Sequence, residues 1–167
     1  RHNTAHYSGR YISPPTSYLK SNKLILHMPL IYIIILNWNS FEDTQQLLLQ
    51  LRQLTYQNFK IVLVDNDSND NSGKRLNNEF RNIEYIQTGS NLGYAGGNNI
   101  GIKHAIHKNA EYIWILNNDI LITDFSTLET LLEEYKKLET VAFFGLKLLD
   151  SNDQKIQFIR ATVGNSG

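Results

Sequence analysis

The stretch Tyr112-Ile113-Trp114-Ile115-Leu116-Asn117-Asn118-Asp119 passes from five apolar residues to three polar ones with no transition between them. Its aromatic and branched residues are continuous rather than alternating, which is the pattern of a strand covered on both faces. The polar end then falls at the carboxyl edge of a sheet, where open α/β sheets bind ligands. A carboxylate flanked by two amides suits a hard divalent cation and the hydroxyls of a sugar or ribose. The plainer reading is a polar turn, because Asn and Asp are ordinary turn residues.

The same pattern recurs upstream. An apolar run at 30–36 ends in Asn37-Trp38-Asn39, and a second at 59–64 ends in Asp65-Asn66-Asp67-Ser68-Asn69-Asp70-Asn71. A third short strand is predicted at 83–86. Between the strands lie helical periodicities. Ser40 stands as an N-cap with Glu42 and Asp43 in the first turn, and Leu47, Leu48, Leu51 and Leu54 give an apolar face over 41–54. A short helix is predicted at 73–80, carrying Leu76 and Phe80. Another runs to about Lys108, with Ala95, Ile102, Ala105 and Ile106 turned inward. Ser126 and Glu129 form a capping-box pattern ahead of Leu128, Leu131, Leu132, Tyr135 and Leu138. Further strands are predicted at 141–144 and 154–160. Repeated strand–helix alternation implies an α/β fold: a mostly parallel, Rossmann-like sheet with helices on both faces. All three polar loops follow strands, so they should gather on one sheet edge.

Composition narrows the function. The chain has 167 residues, with 41% hydrophobic and 19% charged residues, which fits one packed domain. Lys plus Arg and Asp plus Glu are both 16, so no global field draws it to nucleic acid or to an anionic membrane. With no cysteine, thiolate catalysis and thiolate zinc sites are excluded. This fits a cytoplasmic location. The apolar run at 30–36 is too short to span a bilayer. Residues 1–27, with Pro14-Pro15 and no sustained period, read as a poorly ordered leader, and 28–167 as the folded domain. His104 and His107 read as solvent-facing, Trp38 and Trp114 as core, and Asp67 and Asp70 as solvated loop carboxylates.

Between the third strand and its helix lies Asn91-Leu92-Gly93-Tyr94-Ala95-Gly96-Gly97-Asn98, with three glycines in five residues. It lacks the G-x-G-x-x-G order of a dinucleotide loop. Together with Val64-Asp65-Asn66-Asp67-Ser68 and Leu116-Asn117-Asn118-Asp119, in this order and spacing, it resembles family 2 glycosyltransferases of the GT-A fold, in the rhamnosyltransferase-like branch. Asn37-Trp38-Asn39 matches as well, as does Gly145-Leu146-Lys147-Leu148-Leu149-Asp150 followed by Lys155-Ile156-Gln157. The resemblance covers about Leu30 to Ile159.

The resemblance implies transfer of a sugar from a nucleotide-sugar donor to a glycan or lipid-linked acceptor, with inversion and with Mn²⁺ or Mg²⁺ as cofactor, in polysaccharide biosynthesis. It assigns donor binding to Asn37, Asn39, Asp65, Asn66, Asn91, Gly93, Gly96, Asn98 and Asn117, with Asp65 accepting from the base and Asn98 facing the donor. It places Asp119 on the metal, where Asn117 replaces the first acid of the usual D-x-D. No general base is visible in the chain, so the catalytic carboxylate is expected beyond Gly167. The chain then reads as the donor-binding part of a C-terminally truncated GT-A unit. Peripheral association with the inner face of a membrane would come through the missing parts. A non-catalytic nucleotide- or partner-binding remnant is the alternative. A nucleotidyltransferase is disfavoured, because Asn37-Trp38-Asn39 stands where its glycine-rich basic loop would be.

Overall fold

The computed structural model of the chain describes residues 28–137. The predicted leader 1–27, the strands at 141–144 and 154–160 and the 145–157 motif lie outside them. Within them, strand and helix alternate: β1 Ile31–Asn37, α1 Phe41–Leu51, β2 Phe59–Asp65, α2 Ser72–Glu79, β3 Glu84–Gln87, α3 Gly93–His107, β4 Tyr112–Leu116 and α4 Thr127–Lys136. The four strands form one sheet in the order β3-β2-β1-β4. Every pairing is parallel, with Asn37 level with Asp65 and Ile35 level with Leu116. The chain adds β2 and β3 on one side of β1, then crosses back to place β4 on the other. The strand order therefore reverses between β1 and β4, and an open sheet splits into a crevice at such a point.

β1 is continuous in apolar residues because it feeds both layers. Ile31, Ile33 and Ile35 point into a core closed by Leu47, Leu48 and Leu51 of α1, Leu76 of α2 and Leu128 of α4. Tyr32 and Ile34 point the other way, with Val62 and Val64, against Ala105 of α3. Helices thus cover both faces, three against one. β4 departs from the expected two-sided burial, since Ile115 is 41% exposed. The reason is that α3 lies mainly over β1 and β2 and reaches β4 little.

α3 is also rotated from the phase predicted for it. Gly97, Gly101 and Ala105 face the sheet, while Ala95 and Ile106 face solvent. A Cβ on Gly101 would lie 2.5 Å from Ile34 Cγ2, and one on Gly97 2.3 Å from Leu36 Cδ1. The inward stripe is made of the smallest residues, so the helix sinks onto the strands; the apolar count alone pointed to the wrong face. α1 ends at Leu51 rather than 54, and buried Leu54 follows in a turn closed by Leu54 N–H to Leu51 C=O at 3.3 Å. The capping box at Ser126 does not form. Ser126 Oγ donates to Asp124, and Glu129 accepts from Thr55 Oγ1 at 2.8 Å.

His104 is not solvent-facing. Its Nε2 pairs with Glu84 Oε2, its ring meets Tyr32 edge-on, and Tyr32 O–H donates to Glu84 Oε1 at 3.2 Å. Burial pushes the Glu84 carboxyl up, but the hydrogen bonds from His104 and Tyr32 outweigh it, and the net displacement is below the ordinary carboxylate value. A carboxyl depressed in the folded state contributes stability that is present above its unfolded pKa and lost as pH falls through the folded one. Glu84→Gln should therefore flatten the acid limb of the stability profile, measured as the urea midpoint between pH 6 and about 3.

Candidate active site: a cleft where the strand order reverses

The carboxyl ends of β1 and β4 open a cleft of about 570 Å³. Leu36, Trp38, Ser40 and Asp43 line it from β1 and the start of α1. Asn66, Asn91, Gly93 and Tyr94 line it from the β2 end and the start of α3, and Asn117, Asn118 and Asp119 from the turn after β4. The predicted convergence of the polar loops is thus found, and it brings Asn66, Asn91, Gly93, Asn117 and Asp119 onto one wall. The amino ends of α1 and α3 both open here, which favours an anion.

Asn37 and Asp65 lie behind that wall rather than on it, 0% and 2% exposed. Asn37 spends its whole amide internally. Its Nδ2 donates to Ser72 Oγ at 2.8 Å, Ser68 Oγ at 3.1 Å and Asp65 Oδ1 at 3.3 Å, while its Oδ1 accepts from Thr44 Oγ1 at 2.9 Å. Asp65 also accepts from the Ser68 hydroxyl and backbone N–H, and from Tyr85 O–H at 3.0 Å. Burial, and then this carboxylate, push the Tyr85 hydroxyl up to about 12. Gly73 is required beside it, since a Cβ there would fall 2.2 Å from Asp65 Cγ. Asp70, read as a solvated carboxylate, accepts from Ser72 N–H at 2.8 Å at the start of α2; the Ser72 hydroxyl first, and then this backbone bond, hold its pKa below the ordinary value.

Asn66 fastens the glycine-bearing loop to the sheet. Its Nδ2 donates to Asn91 Oδ1 at 2.9 Å, and its Oδ1 accepts from Leu92 N–H at 3.0 Å. Asn91 Oδ1 also accepts from Gly93 N–H at 2.9 Å, where φ is 69°, a conformation that favours glycine. Asn39, with φ 51°, accepts from Asn69 N–H at 2.9 Å and holds the two loops together outside the cleft. Gly96 is packed against Leu92, and Asn98 is buried with its Nδ2 on Tyr94 C=O at 3.0 Å. Neither lines the cleft.

Two cleft residues escape a reading by type. Trp38 reads as core but is 55% exposed on the cleft wall, because β1 has ended one residue earlier. Trp114 is half-buried against the core. Asp43 reads only as a first-turn acid of α1, yet it faces the cleft, with its Oδ2 accepting from Ser40 Oγ at 2.7 Å. The available signal was position: a helix that starts three residues after a strand presents its first turn to that strand's carboxyl edge. Tyr94 stands 61% exposed and donates to Asn117 Oδ1 at 2.8 Å, which ties α3 to the β4 turn. Among the described residues no lysine or arginine lines the cleft, and Asp43 and Asp119 are the two carboxylates that do. Among the described residues no group of three or more His, Cys, Asp or Glu side chains could hold a metal unaided.

The family described as Glycosyl transferase family 2 matches residues 32–159, most of the chain. The chain belongs to glycosyltransferase family 2. Its sheet and crevice are those of the GT-A fold, and the nucleotidyltransferase alternative falls away. Among relatives of this family-2 chain is the low-salt glycan biosynthesis hexosyltransferase Agl10 of Haloferax volcanii, 35% identical over 91 residues. That match covers 54% of the chain and 28% of the relative. Two solved folds superpose well. The Pyrobaculum calidifontis mannosyltransferase PcManGT, in complex with GDP-Man and Mn²⁺, has a TM-score of 0.59 at 18% identity, covering 75% of this chain and 40% of its own. TarS 1-349 of S. aureus in complex with UDP has a TM-score of 0.57 at 23% identity, covering 65% and 32%. The family-2 chain thus spans well under two thirds of the length of these relatives. Among its described residues no helix is long and apolar enough to cross a membrane.

Proposed function

We propose that the cleft is the donor site of an inverting glycosyltransferase that takes a sugar from a nucleotide-sugar and passes it to a glycan or lipid-linked acceptor. The observation that carries this reading is the meeting of Trp38, the Asn66–Asn91 clamp and Asp119 in one crevice of a family-2 chain. The exposed Trp38 ring offers a stacking face for the base, a contact contributing about 1–3 kcal/mol. Asn91 and Gly93 shape the floor beside it, and Tyr94 and Asn117 close the sugar side. The mannosyltransferase with GDP-Man and Mn²⁺ and the TarS complex with UDP support a nucleoside-diphosphate donor.

The charges of the cleft fit a divalent cation. Beside Asp43 and Asp119, and with no lysine or arginine among the described residues that line the cleft, a diphosphate calls for a cation to offset the repulsion. Asp119, an exposed hard-oxygen donor on the turn, would hold Mn²⁺ or Mg²⁺, with the diphosphate and water completing its shell. When bound, the metal would neutralise the charge developing on the departing nucleoside diphosphate. The chain's own residues orient the donor and shield one side of it. The carboxylate that takes the acceptor's proton is assigned to residues outside those described.

UDP, GDP, CDP and dTDP with Mn²⁺ should separate in a thermal-shift panel. One ligand at 100 times its dissociation constant should add roughly 2.7 kcal/mol of stability and quench Trp38 fluorescence. No shift with any of the four, with or without metal, would remove the reading.

A further inference from the structure

The turn that carries Asp119 is tied to the body of the protein by a buried file of hydrogen bonds. Asn118 Nδ2 donates to Thr44 Oγ1 at 2.9 Å. Thr44 Oγ1 donates to Asn37 Oδ1 at 2.9 Å, and Asn37 Nδ2 donates to Asp65 Oδ1 at 3.3 Å and to Ser72 Oγ at 2.8 Å. Thr44 and Asn37 are both 0% exposed. The direction of the file is forced. A carboxylate only accepts, so Asn37 must turn its nitrogen to Asp65 and its oxygen to Thr44. A hydroxyl has one proton, and Thr44 has given it to Asn37, so toward Asn118 it can only accept. Each donor in such a chain polarises the next, and the charge at its end strengthens all of them.

We propose that Thr44 is a positioning residue for the donor site: through the file that ends on Asp65 it fixes the 117–119 turn and with it the Asp119 carboxylate. Thr44 touches no ligand. It transmits the fixed end of β2, across β1, to the loose end of β4, which lies at the margin of the described sheet. Asn37 serves as the middle link. The inference rests on the proposed donor site for its consequence in binding, and on the hydrogen bonds alone for its consequence in the turn.

The test compares Thr44→Val, which keeps the shape and removes the hydroxyl, with Thr44→Ser, which restores it. Backbone ¹⁵N order parameters at residues 117–119 should fall from about 0.85 to below about 0.6 in the Val variant and stay high in the Ser variant. Affinity for whichever of UDP, GDP, CDP and dTDP the wild type binds with Mn²⁺ should drop about tenfold in Val and recover in Ser, while the matching nucleoside binds all three alike. If Thr44→Val fails to fold, Asn118→Ala cuts the same file at its outer end and should loosen the turn equally. Unchanged order parameters in Thr44→Val, or in Asn118→Ala where that variant replaces it, overturn the proposal. An equal loss for nucleoside and nucleoside diphosphate overturns it as well. A wild type that binds none of UDP, GDP, CDP and dTDP overturns the donor-site reading instead, and the order parameters then decide the file by themselves.

Discussion

Asp119→Ala should lose metal-dependent nucleotide binding by about a hundredfold or more, since even outer partners of metal ligands cost 10–100-fold when removed. The folded state should barely change, because Asp119 is exposed at a turn. Calorimetric titration of UDP or GDP, with and without Mn²⁺, reads the first effect, and the thermal midpoint reads the second. Asp43→Asn is the matched control for cleft charge. It leaves Asp119 in place, so nucleotide binding with Mn²⁺ should persist. Undiminished binding in Asp119→Ala would detach the cation from this turn.

Asp65→Ala should behave in the opposite way, as a lesion of the fold before it is a lesion of the site. The carboxylate gathers Asn37, Ser68 and Tyr85; its removal takes the acceptor from the half-buried Ser68 and Tyr85 hydroxyls, while Asn37 keeps Ser72 and Ser68. At about 1–3 kcal/mol for each unsatisfied group, a loss near 3 kcal/mol or more is expected. That corresponds to a fall of roughly 10 °C in melting temperature. The Tyr85 hydroxyl should also titrate below its native value of about 12, keeping only the part of the shift that burial causes. Pyrophosphate and nucleoside binding should weaken together, because the fold that carries both is weakened. A stable Asp65→Ala protein that loses nucleoside binding alone would restore a direct contact between Asp65 and the base.

The sequence reveals the strands and their polar ends because both signals are local. Continuous β-branched runs mark strands whether one face or both are covered, and β1, β2 and β4 fall within a residue or so of where their composition puts them. The phase of α3 is not local. It depends on which side chains are small enough to let the helix approach Ile34 and Leu36, and a count of apolar residues rewards Ile106 over Gly101. The difference between wall and interior is not legible either. Asn37, Asp65 and Asn66 are all buried at strand ends of the same type, and their types do not tell that Asn66 borders the cleft while Asn37 and Asp65, level in register, meet as a shared anchor behind it. Trp38 and Asp43 have the opposite history. Their types say core and helix cap, and their exposure is set by where β1 stops.

The reversal of strand order has a consequence for how this chain reaches its shape. β1 finds β2 across a short helical crossover, whereas its contact with β4 begins at Leu30 and Glu111, 81 residues apart. Closing a longer loop costs more entropy, and topologies rich in distant pairings fold slowly. The β3-β2-β1 half should therefore assemble before β4 docks onto its margin, an order that φ-values at Leu63 and Trp114 would read. The crevice needs the end of β4, so it should appear at that later step. A nascent or partly folded chain has a core without a binding site, and a ligand of the cleft can recognise nothing short of the finished sheet.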